Sequence, residues 1–61
     1  MKTSEFLKKA FKIGCYFVSH GKEHDVWYSP STNKYFRVSR HKKQEIKSGT
    51  LNSMLKDSGL K

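Results

Sequence analysis

The sequence predicts an α+β domain of two layers, with the element order α-β-β-β-α and both helices on one face of a three-stranded antiparallel sheet. Two observations support this prediction. Apolar residues recur at helical spacing near both ends of the chain, and three short segments rich in β-forming residues lie between them, separated by turn residues. Because 61 residues suffice for one small domain, we expect a single domain over residues 1–61.

The first helix is predicted from Thr3 to Ile13. Thr3 or Ser4 can cap its start, because their side-chain oxygens accept hydrogen bonds from free N–H groups, and Gly14 can provide the left-handed residue that ends it. Lysines occupy one side of this helix and apolar residues the other, which is typical of a helix packed on a sheet. The apolar stripe consists of Phe6, Ala10 and Ile13, widened by Leu7 and Phe11.

Three strands are predicted from Cys15 to His20, from His24 to Ser29 and from Tyr35 to Ser39. β-branched and aromatic residues are frequent in all three. Gly21 marks the first turn, and Pro30-Ser31-Thr32-Asn33 has the composition of a second one. The short connections make neighbouring strands antiparallel.

A basic loop from Arg40 to Lys47 is predicted to follow the sheet, and a second helix to run from Ser48 to about Asp57. Gly59 can end that helix, and Leu60 can fold back as a hydrophobic contact. Its apolar face consists of Leu51, Met54 and Leu55. The whole order of elements is that of double-stranded RNA-binding domains.

Alternation along the strands predicts which side chains share a face of the sheet. We expect Phe17 and Trp27 to pack under the helices, because leaving the large Trp27 side chain exposed would be unfavourable. His24 then lies on the open face. By the same alternation Ser19 shares the face of Phe17, whereas His20 lies on the other. The opposite register, or a one-residue bulge, would change this assignment.

The charge of the chain predicts a polyanionic partner. Lys plus Arg number 13 and Asp plus Glu number 5, a net charge of +8, which suggests RNA, DNA, anionic lipid or an acidic protein as the partner. The alternative is a solvated basic surface, over which the charge favours nucleic acid. The chain contains no apolar run long enough for a signal peptide or a membrane span, so we expect an intracellular, soluble protein. Cys15 is the only cysteine, and the scattered histidines do not match the spacing of a structural zinc site.

His24 is the residue with the greatest catalytic potential. Histidine is the only side chain whose unperturbed pKa, about 6.5, lies near neutrality. A histidine among cations could take the proton of an RNA 2′-hydroxyl or protonate the leaving 5′-oxygen. The residues alone favour a surface histidine at the start of a hairpin strand, because lone histidines are common and no partner group is fixed. His20 and His41 are weaker candidates for the same role.

Several aromatic residues could bind unpaired bases by stacking. The same residues could instead pack within the sheet or on its surface, and the aromatic pattern of RNA-recognition-motif sheets is absent. They are Tyr16, Trp27, Tyr28 and Tyr35.

The chain resembles the HicA-type toxins, the small mRNA-cleaving components of bacterial toxin–antitoxin pairs. The order and spacing of seven segments support the resemblance, which covers nearly the whole chain. These segments are Lys2-Thr3-Ser4-Glu5-Phe6-Leu7-Lys8, Gly14-Cys15-Tyr16, His24-Asp25-Val26-Trp27-Tyr28, Arg40-His41-Lys42-Lys43, Glu45-Ile46-Lys47, Gly49-Thr50-Leu51 and Leu55-Lys56-Asp57-Ser58-Gly59-Leu60.

The resemblance implies a fold like that of double-stranded RNA-binding domains. It also implies a metal-independent endoribonuclease that uses no cofactor and cleaves mRNA through one catalytic histidine. That histidine is His24 in this chain. The resemblance further implies a cognate HicB-type antitoxin, a location in the bacterial cytoplasm, no contact with the membrane, and no direct binding to DNA except through the antitoxin complex. With this function, the cations expected to bind RNA phosphates are Lys22, Arg37, Arg40, Lys42 and Lys43.

The sequence departs from the usual family pattern at two places. The family usually has a pair of small residues before the catalytic histidine, where this chain has Lys22-Glu23. It often has proline before the Arg-His pair, where this chain has Ser39, which we expect to loosen the exit of the third strand. Two alternatives to the nuclease are a non-catalytic basic RNA-binding module and a subunit whose charge serves only to hold an acidic partner.

Overall fold

A computed structural model describes residues 1–61 and confirms the predicted α+β arrangement of two helices and a three-stranded antiparallel sheet. The helices are α1 (Thr3–Lys12) and α2 (Ser48–Ser58), and the strands are β1 (Tyr16–His20), β2 (His24–Ser29) and β3 (Lys34–Ser39). The predicted elements differ from these by a single residue at individual ends. No helix is both long and apolar enough to cross a lipid bilayer.

β2 is the central strand of the sheet and pairs with both neighbours. Its pairing with β3 is regular from His24 opposite Ser39 to Ser29 opposite Lys34. Trp27 therefore shares a face with Phe36, and His24 lies on the other face, as the alternation predicts. The helices cover the face of Trp27.

β1 contains a β-bulge at Val18. Phe17 is opposite Trp27, but the next pair along the strands joins Ser19 to Val26. The extra residue reverses the alternation, so Ser19 lies on the open face and His20, opposite Asp25, on the helix-covered face. The predicted faces of Ser19 and His20 are therefore wrong, because an unpaired residue shifts every later side chain of the strand by one position.

A small core lies between the sheet and the helices. The rings of Phe6 in α1 and Phe36 in β3 pack edge to face with centroids 5.8 Å apart. Trp27 is partly buried against this core, whereas Phe17 remains 43% exposed at its rim. The buried apolar residues are Phe6, Ala10, Cys15, Phe36, Val38 and Met54.

The apolar stripe of α1 is narrower than the sequence predicts. Phe6 and Ala10, one turn apart, are completely buried, but Phe11 is 71% exposed and Ile13 is also exposed. Phe11 follows Ala10 by one residue, which is about 100° around the helix, and so points away from the sheet. Phe11 therefore does not contribute to the core of this chain.

The start of α1 is capped by backbone rather than by a side chain. The N-cap residue is Lys2, with no side-chain cap, so the predicted capping by Thr3 or Ser4 is wrong. Instead, the Thr3 N–H donates to the carbonyl of Gln44 (3.1 Å) and the Ser4 N–H to that of Lys42 (3.0 Å). These bonds attach the basic loop between β3 and α2 to the beginning of the chain.

Both helices end as the sequence predicts, with Gly14 and Gly59 at positive φ. Leu60 folds back, its N–H donating to the Leu55 carbonyl at 3.0 Å. Ser29 Oγ donates to the carbonyl of Ser58 at 2.6 Å, which fixes the end of α2 to the end of β2. The covered face of the sheet is thus held by polar as well as apolar contacts.

Candidate functional site

His24 is the first residue of β2 and follows the tight turn that leaves β1. It lies on the open face of the sheet opposite Ser39, and its side chain is exposed. Its imidazole takes part in none of the side-chain hydrogen bonds of the chain, whereas the His20 imidazole is held by Asp25. Of the two histidines in the sheet, His24 is therefore the one whose ring is free to meet a ligand.

The turn before His24 requires glycine at position 21. The Gly21 N–H donates to the His24 carbonyl oxygen at 2.8 Å. A Cβ atom at Gly21 would lie 2.6 Å from that oxygen, closer than such atoms approach in proteins, so any larger residue would displace the turn. Gly21 thereby fixes the backbone that carries the imidazole.

His24 lines three open depressions, and two of them include the turn residues that precede it. One, of about 570 Å³, has no apolar residue in its lining, which includes Lys22, Ser39, Arg40 and His41 beside His24. The other continues along the open face to Val26 and Arg37. Lys22 and Glu23 line both depressions, so the turn residues form the ridge between them. His24 thus stands where two basic depressions join.

The structure brings three of the five predicted phosphate-binding cations to His24. Arg37 lines the depression on one side of the histidine, Arg40 the depression on the other, and Lys22 lines both. Lys42 and Lys43 line neither, and the Lys42 carbonyl is used to cap α1. These two lysines remain exposed on the loop and can contribute only to a more distant contact with RNA.

Asp25 joins the chain segments around His24 from beneath. Its side chain lies on the covered face, and the residue is only 6% exposed. His20 Nδ1 lies 2.7 Å from Asp25 Oδ1, and Arg40 Nε donates to the same oxygen at 3.3 Å. Arg40 Nη2 also donates to the Gly21 carbonyl. One carboxylate therefore ties together the end of β1, the turn and the exit of β3.

The contacts of Asp25 stabilise its ionised form. The hydrogen bond from His20, the charge of His20 and the contacts with Arg40 together lower the pKa of Asp25 below its ordinary value, although burial opposes them. Since an ionised carboxylate only accepts hydrogen bonds, His20 Nδ1 is the donor in this pair. His20 is thus a partner of Asp25 on the covered face, not a second histidine facing His24.

Arg40 has a structural role as well as its predicted contact with phosphate. Of its five N–H donors, the one on Nε is engaged by Asp25 and one on Nη2 by Gly21. The others remain for a ligand in the depression next to His24. The intramolecular bonds hold the guanidinium in place before any ligand binds, which reduces the entropy lost on binding.

The exit of β3 is held by Ser39. The His41 N–H donates to Ser39 Oγ at 3.1 Å, a local bond between side chain and backbone that stabilises the turn. The predicted loosening of this exit is therefore opposed by the serine side chain.

The sequence reasoning missed Asp25 and the steric role of Gly21. A signal for Asp25 was present, because alternation with Trp27 places a carboxylate on the covered face, where a charge needs a partner. The identity of that partner depends on the bulge in β1, which the sequence does not reveal. No group of three or more His, Cys, Asp or Glu side chains is arranged to hold a metal ion.

Comparison with known families supports the resemblance seen in the sequence. The family described as the HicA toxin of bacterial toxin–antitoxin systems matches residues 3–60, nearly the entire chain. Searches among curated proteins and among solved structures gave no match.

Proposed function

The chain belongs to the HicA toxin family, and on that premise we propose that this toxin acts by cleaving mRNA, with His24 as its proton-transferring residue. The observation that best supports the proposal is the position of His24. Its imidazole is exposed and unpaired, and it stands between basic depressions that contain Lys22, Arg37 and Arg40. A bound RNA phosphate could therefore be neutralised by cations while a histidine transfers the proton.

The chemistry is attack of a ribose 2′-hydroxyl on the adjacent phosphate. A bond from O2′ to phosphorus forms, the bond from phosphorus to O5′ breaks, and the products are a 2′,3′-cyclic phosphate and a free 5′-hydroxyl. His24 removes the proton from O2′ or supplies the proton to O5′, and solvent water carries out the other transfer. Lys22, Arg37 and the free donors of Arg40 stabilise the extra negative charge of the pentacoordinate phosphorus. No metal or cofactor is required for these steps.

Membership in the family implies a cognate antitoxin as the partner of this toxin. We propose an antitoxin of the HicB type that carries acidic groups, because a net charge of +8 on 61 residues attracts an acidic surface. The toxin would then contact DNA only through the antitoxin. We place the reaction in the bacterial cytoplasm, where mRNA is found.

The test is an RNA cleavage assay of wild type and His24→Ala, with a metal chelator present. General acid–base catalysis contributes roughly 10²–10⁴ in rate, so His24→Ala should lose cleavage by that factor. Its thermal midpoint should not change, because the His24 side chain makes no bond within the chain. Expression of the two proteins in cells should reproduce the difference as growth arrest.

The matched control is His41→Ala, which removes a second exposed histidine that lines the same depression. It should retain cleavage within about tenfold of wild type, below the range of general acid–base catalysis. Unchanged cleavage by a folded His24→Ala protein would contradict the role of His24. Salt-sensitive RNA binding without cleavage by the wild type would instead favour a non-catalytic RNA-binding module.

A further inference from the structure

Three tyrosines form a row across the open face of the sheet. Tyr16, Tyr28 and Tyr35 occupy directly opposite positions on β1, β2 and β3. The ring of Tyr28 lies 5.6 Å from that of Tyr16 and 4.9 Å from that of Tyr35, measured between centroids. The bulge in β1 begins only beyond Phe17, so it leaves this row in register.

The row is exposed although its rings are large. Tyr16 is 50% and Tyr35 64% exposed, because both helices pack on the other face of the sheet. The central ring is fixed by a hydrogen bond of 3.0 Å from Tyr28 Oη to Asn33 Oδ1. Cross-strand aromatic pairs stabilise a sheet, but that role does not require the two outer rings to be this exposed.

The row is continuous with the proposed catalytic residue. Along β2, Tyr28, Val26 and His24 alternate on the open face, and Arg37 stands opposite Val26. Four strand residues at about 3.3 Å each separate Tyr28 from His24 by roughly 13 Å. Four stacked nucleotides, at about 3.4 Å each, cover a similar distance. The central ring of the row and the histidine therefore lie along the same strand, with Arg37 on the neighbouring strand between their levels.

The charge on this face favours an anionic ligand. Its strand residues include His24 and Arg37 and no carboxylate. Glu23 lies in the preceding turn, and Asp57 belongs to α2, where it lines a depression with Tyr35 and Arg37 at the edge of β3. A ligand with flat apolar rings and regularly spaced negative charges, which describes single-stranded RNA, fits rings flanked by a cation.

We propose that the tyrosine row is a binding site for unpaired RNA, on which bases stack while the strand passes Arg37 to reach His24. The site rests on the proposed ribonuclease function and specifies its substrate as single-stranded RNA. A duplex hides the faces of its bases and cannot use the row. The row would therefore select unpaired segments of mRNA for cleavage.

The test measures RNA binding by fluorescence anisotropy, with the full chain carrying His24→Ala so that the RNA stays intact. The probes are a short unstructured RNA strand, an abasic strand of equal length and charge, and a duplex of the same sequence. Tyr16→Leu and Tyr35→Leu, each added to that protein, remove one ring and retain an apolar side chain in the sheet. The matched control is Phe11→Leu, which removes an even more exposed ring from α1.

Each tyrosine substitution should weaken binding of the unstructured strand by roughly 5- to 100-fold, the range of a lost base–aromatic stack. Binding of the abasic strand and of the duplex should change less than twofold, and Phe11→Leu should not change binding of any probe. Unchanged affinity of both tyrosine variants for the unstructured strand overturns the proposal. An equal loss of affinity for the abasic strand overturns it as well. So does a loss of antitoxin binding with no loss of RNA binding.

A second measurement does not depend on the stability of the tyrosine variants. Photo-crosslinking of RNA containing thio-substituted bases to the otherwise unsubstituted His24→Ala protein should label Tyr16 or Tyr35, whereas labels confined to α1 or to residues 40–47 overturn the proposal. Stacking without cleavage by the wild type would leave the site standing and refute the nuclease. Cleavage retained by Tyr16→Leu and Tyr35→Leu when His24 is present, together with unchanged RNA binding when His24→Ala is present, would do the reverse.

Discussion

The two faces of the sheet differ in whether their side chains have partners within the chain. On the covered face, Phe36 and Val38 are buried in the core, and Asp25 has two partners. On the open face, the His24 ring and the outer tyrosine rings are exposed. Because adjacent residues of one strand serve opposite faces, His24 can change without disturbing the core, while its neighbour Asp25 cannot. Stability and the proposed chemistry are thus encoded by alternate residues of the same strands.

The largest effect is expected from the covered face. Phe36→Ala should lower the free energy of unfolding by about 3–5 kcal/mol. A core in a chain of this size rarely supplies more than about 3–5 kcal/mol, so the variant should be largely unfolded at room temperature by circular dichroism. Phe11→Ala, which removes an exposed ring, should stay within about 0.5 kcal/mol of wild type. A similar loss in both variants would show that burial does not distinguish the two phenylalanines.

Gly21→Ala tests the turn that joins β1 to β2. The added Cβ would lie 2.6 Å from the His24 carbonyl, so the turn must move, with an expected loss of roughly 1–3 kcal/mol in urea unfolding. Displacement of the imidazole by about 1 Å can reduce cleavage on the order of 10²-fold.

Gly49→Ala is the matched control for Gly21→Ala, because a Cβ at Gly49 in α2 meets no atom within 4 Å. Alanine there should stabilise the helix by up to about 1 kcal/mol and leave cleavage unchanged. If Gly21→Ala cleaves RNA as fast as Gly49→Ala does, the close approach is not needed for activity.

Asp25→Asn distinguishes the contribution of the Asp25 charge to stability from the contribution of its shape. The folded state lowers the pKa of Asp25, so the carboxylate adds stability above the unfolded pKa of about 3.9 and loses it as the pH falls through the lower folded value. The urea midpoint of wild type should therefore be higher than that of Asp25→Asn at pH 7, and the two midpoints should converge as the pH falls below about 4. A difference that persists unchanged at low pH would mean that shape, not charge, explains the role of Asp25.

The smallest effect is expected from Glu23, whose negative charge stands on the ridge beside His24. Glu23→Gln should increase RNA affinity by up to about fivefold at low salt, as expected for a single exposed charge, and the gain should shrink at high salt. Glu5→Gln, which removes an exposed charge from α1, serves as the control. An equal gain in both variants would indicate net charge rather than the position of Glu23.

Local patterns were enough to predict most of the fold. Apolar spacing located both helices, and β-forming residues between turns located the three strands to within one residue at individual ends. Gly59 and Leu60 predicted the end of α2 because helix termination depends on residues adjacent in the chain. Alternation along β2 and β3 also placed His24 on the open face, since that pairing is regular.

The sequence by itself determined the elements, their order, the charge and the position of His24, because each depends on neighbouring residues. Only the tertiary structure decided the bulge at Val18, which turns His20 towards Asp25, and the capping of α1 by carbonyls of Lys42 and Gln44. Those contacts join residues that are distant in the chain or depend on strand register. Such contacts depend on the packing of the whole molecule, and so no local sequence pattern predicts them.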